Sequence, residues 1–151
     1  MTSIKIIILT VILILVFNGC NDSKYEKPKN ENAGNKNSDS LHEDFTVEQT
    51  YNFLKSNLNN ENVELLDVRT PGEYQDGNIN SSKLIDFNFP DFKDKLLDLD
   101  KNKTYIVYCR VGRRSGIAVK LMKELGFKEA HNVTGGISEW KAKNLPLDFL
   151  K

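Results

Sequence analysis

The chain has little from which to build a metal or redox centre. Its 151 residues include two cysteines, Cys20 and Cys109, and two histidines, His42 and His131. None of the four stands at metal-ligand spacing from another, which argues against a zinc or iron–sulfur site, and no cofactor is implied. There is no Cys-x-x-Cys pair, so disulfide exchange would need a thiol from another molecule. Net charge is also missing, because 21 Lys and Arg balance 21 Asp and Glu. A molecule with no overall field is a poor match for nucleic acid, although local charge can still act. No internal repeat is visible.

What is present begins with an apolar run, Ile6 to Phe17 (IIILTVILILVF), preceded by Lys5. As a helix it spans roughly 18 Å, short of the ~30 Å hydrocarbon core of a bilayer. A run of that length after a basic residue fits the apolar region of a secretory signal. It ends Phe17-Asn18-Gly19-Cys20, which resembles the lipobox of bacterial lipoproteins, where the cysteine is acylated and becomes the mature N-terminus. The resemblance implies a signal peptide over 1–19, lipid on Cys20, and a membrane-anchored place in the bacterial cell envelope. An uncleaved short anchor and a Cys20–Cys109 disulfide are the other readings of the same residues. From Cys20 to His42 the chain is polar, rich in Asn, Lys, Ser and Glu. Such a stretch buries too little apolar area to offset its ordering entropy and is expected to be a flexible linker over 20–42.

The folded domain is expected over 43–151. Thr46-Val47-Glu48-Gln49 has the spacing of a capping box and opens a helix reaching about Asn57. Val63–Val68 and Lys83–Phe87 read as strands. Thr104–Cys109 (TYIVYC) is the strongest strand pattern, dense in β-branched and aromatic residues. Short helices are expected over Asp91–Leu97 and Ile137–Lys143, a longer one over Ser115–Leu125 with Gly126 as its stop, and a last strand over Ala130–Val133. Alternating strands and helices predict an α/β domain, a small mostly parallel sheet flanked by helices on both faces. In such sheets ligands sit beyond the carboxyl ends of strands, near helix N-termini.

That rule points to Cys109-Arg110-Val111-Gly112-Arg113-Arg114-Ser115. The cysteine closes the strongest strand, and Ser115 is placed to cap the next helix. A loop so placed turns backbone N–H groups inward at the positive end of a helix dipole. A free cysteine, with a pKa of about 8.5, is only about 3% thiolate at pH 7; a drop of about two units makes it mostly thiolate for ~2.7 kcal/mol. A cysteine at a strand end is often only a small buried apolar side chain. Three arginines and a glycine within the next five residues set this one apart.

The loop matches the rhodanese pattern Cys-x-x-Gly-x-Arg-Ser at Cys109, Gly112, Arg114 and Ser115. Leu65-Leu66-Asp67-Val68-Arg69 resembles a first signature of that family, followed by Pro71, Glu73-Tyr74 and Gly77-Asn78-Ile79. Val133-Thr134-Gly135-Gly136-Ile137, with Trp140, resembles its closing signature. Asn78 stands where the family usually has histidine, and Asn80-Ser81-Ser82 where a Gly-Ala pair is usual. The chain is thus similar to a rhodanese-like domain over about Phe45 to Leu147.

The resemblance implies a sulfurtransferase of the thiosulfate sulfurtransferase type. Cys109 takes sulfur as a persulfide from a small donor such as thiosulfate and passes it to a thiol or to cyanide. It also implies that Arg110, Val111, Gly112, Arg113 and Ser115 form an anion-binding loop, that Arg114 turns inward to brace it, and that Asp67, Arg69 and Glu73 support it. Arg69 is expected to pair with Glu73, and Asp67 to orient loop groups. Three alternatives share the fold: a persulfide carrier without turnover, a thiol-redox module and a protein-binding module. A phosphatase of the Cys-x5-Arg type fits less well, because the sixth position after the cysteine is Ser115 and the arginine comes at the fifth.

Overall fold

The computed structural model describes residues 41–79 and 81–147. The expected signal segment 1–19, Cys20, the linker up to residue 40, Asn80 and the last four residues lie outside the described residues. Among the described residues no helix is long and apolar enough to cross a membrane.

Five strands form one sheet in the order β1-β5-β4-β2-β3, and every pairing is parallel. The strands are β1 (Asp44–Phe45), β2 (Val63–Asp67), β3 (Lys83–Leu84), β4 (Thr104–Tyr108) and β5 (Glu129–Val133). The helices are α1 (Val47–Ser56), α2 (Pro71–Gln75), α3 (Phe92–Leu97), α4 (Arg113–Glu124) and α5 (Gly136–Ala142). β4 lies at the centre, and its Tyr105, Ile106, Val107 and Tyr108 are fully buried, as a strand covered on both faces requires.

Alternation along the strands divides the core in two. Leu66, Val68, Tyr105, Val107 and Cys109 pack on one face with Ala118 and Met122 of α4 and Leu96 of α3. Leu65, Ile106, Tyr108 and Val133 pack on the other with Val47 and Leu54 of α1 and Ile137 and Trp140 of α5. Successive residues at the end of a strand therefore serve different layers, and this alternation sorts the polar residues below.

Two elements go beyond the sequence expectation. Leu41 bridges Glu129, and β1 pairs Asp44 with Asn132 and Phe45 with Val133, so the chain joins the sheet edge before its first helix. A two-residue strand is too short to show a period. The other is α2, a single turn with its own capping box: Thr70 Oγ1 accepts from the Glu73 amide, the Glu73 carboxylate accepts from the Thr70 amide, and Pro71 stands at the first helical position. The longer helix begins at Arg113, two residues earlier than its apolar face suggests.

Candidate active site

The loop after β4 holds the cysteine sulfur among donors. Gly112 N–H donates to Cys109 Sγ at 3.2 Å, and Ser115 Oγ lies 3.4 Å from it. The amides of Ser115, Val111 and Arg114 also point to the sulfur. The turn that achieves this needs Gly112, whose φ of 90° is a left-handed conformation that a side chain disfavours. Gly112, not Ser115, is the N-cap of α4. Ser115 is the third residue of the helix, and side chains there lean back toward the N-terminus, which carries its hydroxyl to the sulfur instead of to a capping amide. The expected cap is corrected accordingly.

Two effects oppose each other at Cys109, a residue only 1% exposed. Burial pushes the thiol pKa up, while the Ser115 hydroxyl and the amides of Ser115, Val111 and Arg114 pull it down. The donors prevail, and the pKa falls below its ordinary value.

The back of the loop is clamped by α5. Ile137 N–H donates to Cys109 O and Ser138 N–H to Arg110 O, both at 3.0 Å. The backbones approach so closely that a Cβ on Gly136 would lie 2.4 Å from Cys109 O. Gly136 of the closing signature serves this contact, a function that its sequence alone did not reveal.

The arginines divide the remaining work. Arg110 and Arg113 are exposed and border a cleft of about 470 Å³ that has Cys109 among its walls. Phe87, Val111 and Ile117 give the same cleft apolar wall. Arg114 grips Glu73 through two bonds, Nη1 to Oε2 at 2.8 Å and Nη2 to Oε1 at 2.7 Å, and so ties the loop to α2. The guanidinium holds the Glu73 carboxyl far below its ordinary value, at about 2. A second hollow, about 260 Å³ and lined by Leu54, Asn60, Glu64, Ser81 and Lys83 among others, does not include Cys109.

The pairing of Arg69 with Glu73 is not what the structure shows. Arg69 Nη2 binds Asp67 Oδ2 at 2.6 Å, and its Nε lies 2.9 Å from both carboxylate oxygens. The four-residue spacing suits a helical pair, but Arg69 precedes the Thr70 cap and is outside α2. Arg69 lies at the bend just after β2, where its amide also donates to Asp67 Oδ1 at 2.9 Å, so its near partner is residue 67. Asp67 also does not orient the loop. It projects to the face opposite Cys109, together with Tyr108, whose ring lies 5.6 Å beneath the Arg69 guanidinium. Asp67 and Arg69 close a network with Gly77 O, at 2.9 Å, and the Tyr108 hydroxyl accepts from the Ile79 amide at 3.1 Å.

Two residues at the site carried no sequence signal. Ser115 Oγ donates to Asn132 Oδ1 at 2.7 Å, and Asn132 Nδ2 donates to Asp44 Oδ1 at 2.8 Å. Asn78 bonds Tyr74 O within the turn after α2. His131 is buried, stacked on Phe45 with its Nε2 2.9 Å from Glu129 Oε1. Strand alternation turns it to the opposite face from Asn132. Among the described residues no three His, Cys, Asp or Glu side chains are arranged to hold a metal ion.

A parallel α/β sheet with a cysteine-bearing anion loop at the end of its central strand defines the class of domain. Residues 50–143 match the family Rhodanese-like domain, and the chain belongs to that family. A mitochondrial protein of Schizosaccharomyces pombe, provisionally named a thiosulfate sulfurtransferase, is 34% identical over 110 residues, spanning 66% of this chain and 78% of the relative. YtwF of Bacillus subtilis, provisionally named a sulfurtransferase, is 36% identical over 86 residues, or 57% of this chain and 81% of its own. The crystal structure of a rhodanese-like domain protein from Staphylococcus aureus superposes with a TM-score of 0.56 at 32% identity, covering 66% of this chain and 91% of that one. At the level of the family the function is of sulfurtransferase type, with a sulfur donor and a sulfur acceptor as substrates.

Proposed function

We propose that Cys109 is the sulfur-carrying nucleophile of a thiosulfate sulfurtransferase-like enzyme. The observation that carries this reading is the convergence of the Val111, Gly112, Arg114 and Ser115 amides and the Ser115 hydroxyl on a single sulfur atom. Structural burial alone gives a thiol no use for so many donors, whereas an anionic sulfur needs them.

In the first step the Cys109 thiolate attacks the outer sulfur of thiosulfate. The new S–S bond forms as the sulfur–sulfur bond of the donor breaks, and sulfite leaves with the bonding pair. The product is a Cys109 persulfide that carries its negative charge on the outer sulfur. In the second step an acceptor, cyanide or a thiolate, attacks the outer sulfur and forms thiocyanate or a new persulfide. Cys109 departs as thiolate, so the two steps balance without an oxidant. Arg110 and Arg113, free at the cleft rim, attract the dianionic donor, while Arg114 holds the loop through Glu73. The N-terminal pattern supports carrying this domain at the bacterial cell envelope on a lipid attached to Cys20.

The test pairs a thiosulfate:cyanide assay with mass spectrometry of the protein after thiosulfate treatment. The wild type is expected to show Cys109 heavier by one sulfur and to turn over. Cys109→Ser is expected to lose more than 99% of the rate while keeping its fold by circular dichroism. Persulfide without turnover would favour a carrier, and a Cys109→Ser variant of undiminished activity would remove the residue from the mechanism.

A further inference from the structure

The Ser115 hydroxyl stands between two acceptors and has one proton for both. On one side is Cys109 Sγ at 3.4 Å, on the other Asn132 Oδ1 at 2.7 Å. An amide oxygen only accepts, so at this contact Ser115 must be the donor. The amide cannot turn over to present its NH₂ instead. Its Nδ2 donates to Asp44 Oδ1 at 2.8 Å, and reversal would set the amide oxygen against a carboxylate. Ser115 is fully buried and Asn132 nearly so, which keeps water from serving as a substitute partner.

We propose that Asn132, held in one orientation by Asp44, is a positioning residue that parks the Ser115 proton while the Cys109 sulfur is neutral and yields it when the sulfur carries charge. The inference rests on reading Cys109 as the sulfur carrier. With a neutral thiol the bonds run in one direction: S–H to Ser115 Oγ, Ser115 O–H to Asn132 Oδ1, Asn132 N–H to Asp44. When the thiol ionises, the Ser115 proton rotates to Sγ and Asn132 Oδ1 loses its donor. After sulfur is loaded, charge sits on the outer sulfur and the inner one is neutral, so the proton returns to Asn132. When Cys109 leaves in the second step, it rotates back. Asn132 therefore works against the thiolate, and β1 is tied to the reacting sulfur through Asp44.

The consequence runs against intuition: deleting this polar neighbour makes the cysteine more acidic. The charged groups facing Cys109 are Arg110, Arg113 and Arg114, with Glu73 of α2 bound to Arg114, and Asp44 behind Asn132. Asn132→Leu changes none of these charges. The experiment follows the pH dependence of iodoacetamide alkylation in the full chain, read by mass spectrometry on the Cys109 peptide so that Cys20 does not interfere. One freed hydrogen bond lowers the midpoint by about half to one pH unit in Asn132→Leu, a three- to ten-fold faster alkylation at a fixed pH below the wild-type midpoint. Ser115→Ala raises the midpoint, and Asn132→Leu added to Ser115→Ala moves it no further. An unchanged or raised midpoint in Asn132→Leu overturns the proposal, as does an equal shift with and without Ser115.

If Asn132→Leu fails to fold, Asp44→Asn replaces it. The amide of residue 132 can then turn over, and its N–H can donate to Ser115 Oγ. Loss of the Asp44 charge also favours the thiolate, so the decisive quantity is the part of the shift that vanishes in the Ser115→Ala background; none vanishing overturns the proposal. Alkylation consumes no sulfur donor, which separates the two readings. The stated shifts without thiosulfate turnover would sink the functional proposal alone, and turnover without the shifts would sink this one alone.

Discussion

Two arginine–carboxylate pairs stand at the same end of the sheet and behave differently. Arg69–Asp67 is buried, with side chains 5% and 0% exposed; Arg114–Glu73 is 22% and 30% exposed at the cleft. The first joins the last residue of β2 to the bend that follows it and faces the layer opposite the cysteine. The second joins residues 41 apart in sequence and fastens the reactive loop to α2. The buried pair is saturated: the carboxylate also accepts from the Arg69 amide at 2.9 Å, and the guanidinium donates to Gly77 O. A closed network of that kind fixes a scaffold and leaves nothing for a ligand. Around Cys109, by contrast, donors outnumber what a neutral thiol can use, and that surplus marks a site.

The comparison breaks most visibly at Asp67. Asp67→Ala leaves the Arg69 guanidinium buried without its partner, which is expected to cost about 3–5 kcal/mol. That is a large share of the ~5–15 kcal/mol that holds a typical domain together. The urea midpoint should fall accordingly. Because Asp67 faces away from Cys109, the alkylation rate of Cys109 in the folded fraction should stay at the wild-type value. Replacing both partners, Asp67→Ala with Arg69→Met, should recover much of the loss, since an apolar pair leaves no buried charge. A slower-reacting Cys109 in folded Asp67→Ala would show that the two networks are coupled.

A second variant perturbs the site without touching either pair. In Gly136→Ala a Cβ lies 2.4 Å from Cys109 O and 2.7 Å from Arg110 O, on a residue whose φ is +55°. The left-handed backbone alone costs about 1–3 kcal/mol for a residue with a side chain, and the contact forces α5 away from the loop. Sulfur transfer per folded molecule should drop on the order of 100-fold, the scale expected when a reacting group is misplaced by about 1 Å. Denaturation curves and the transfer assay on the same preparation distinguish this from simple unfolding; full activity in the folded fraction would remove α5 from the support of the loop.

How much of this could be read from the chain follows the range of the interactions. Local signals were legible: the Thr46–Gln49 capping box, the β-branched and aromatic run of β4, the Gly126 stop, and the cysteine followed at once by arginines and glycine. Partners set by the topology were not. Glu73 has Arg69 four residues away and Arg114 far along the chain, and only the Thr70 cap, which excludes Arg69 from the helix, settles which one it meets. Ser115 looks like a cap until Gly112 takes that position in a conformation few other residues adopt. Asp44 and Asn132 are unremarkable polar residues in sequence; parallel pairing of β1 with β5 sets them side by side behind Ser115. Strand alternation turns neighbours at a strand end to opposite layers, and it separates Asp67 from Cys109 only once the strand register is known.

The smallest effect is expected at the half-buried pair, and its pH dependence is its signature. The Glu73 carboxyl is held at about 2, first by its bond to Arg114, against an ordinary value of 4.5. A depressed acid stabilises the fold fully above its unfolded pKa. The contribution is lost as pH falls from about 4.5 toward 2, because the unfolded chain takes up the proton first. With the side chain 30% exposed, solvent screening keeps the pair to about 1 kcal/mol or less at neutral pH. Glu73→Gln keeps the Thr70 capping box, because an amide oxygen can still accept from the Thr70 amide, but it can offer Arg114 only one of two bonds. The stability gap between wild type and Glu73→Gln should therefore be constant above about pH 5 and close as the pH approaches 2. Urea midpoints at pH 7, 4 and 3 measure it. A gap that persists unchanged at pH 3 would mean that Glu73 acts through packing, and that the clamp on the loop is not electrostatic.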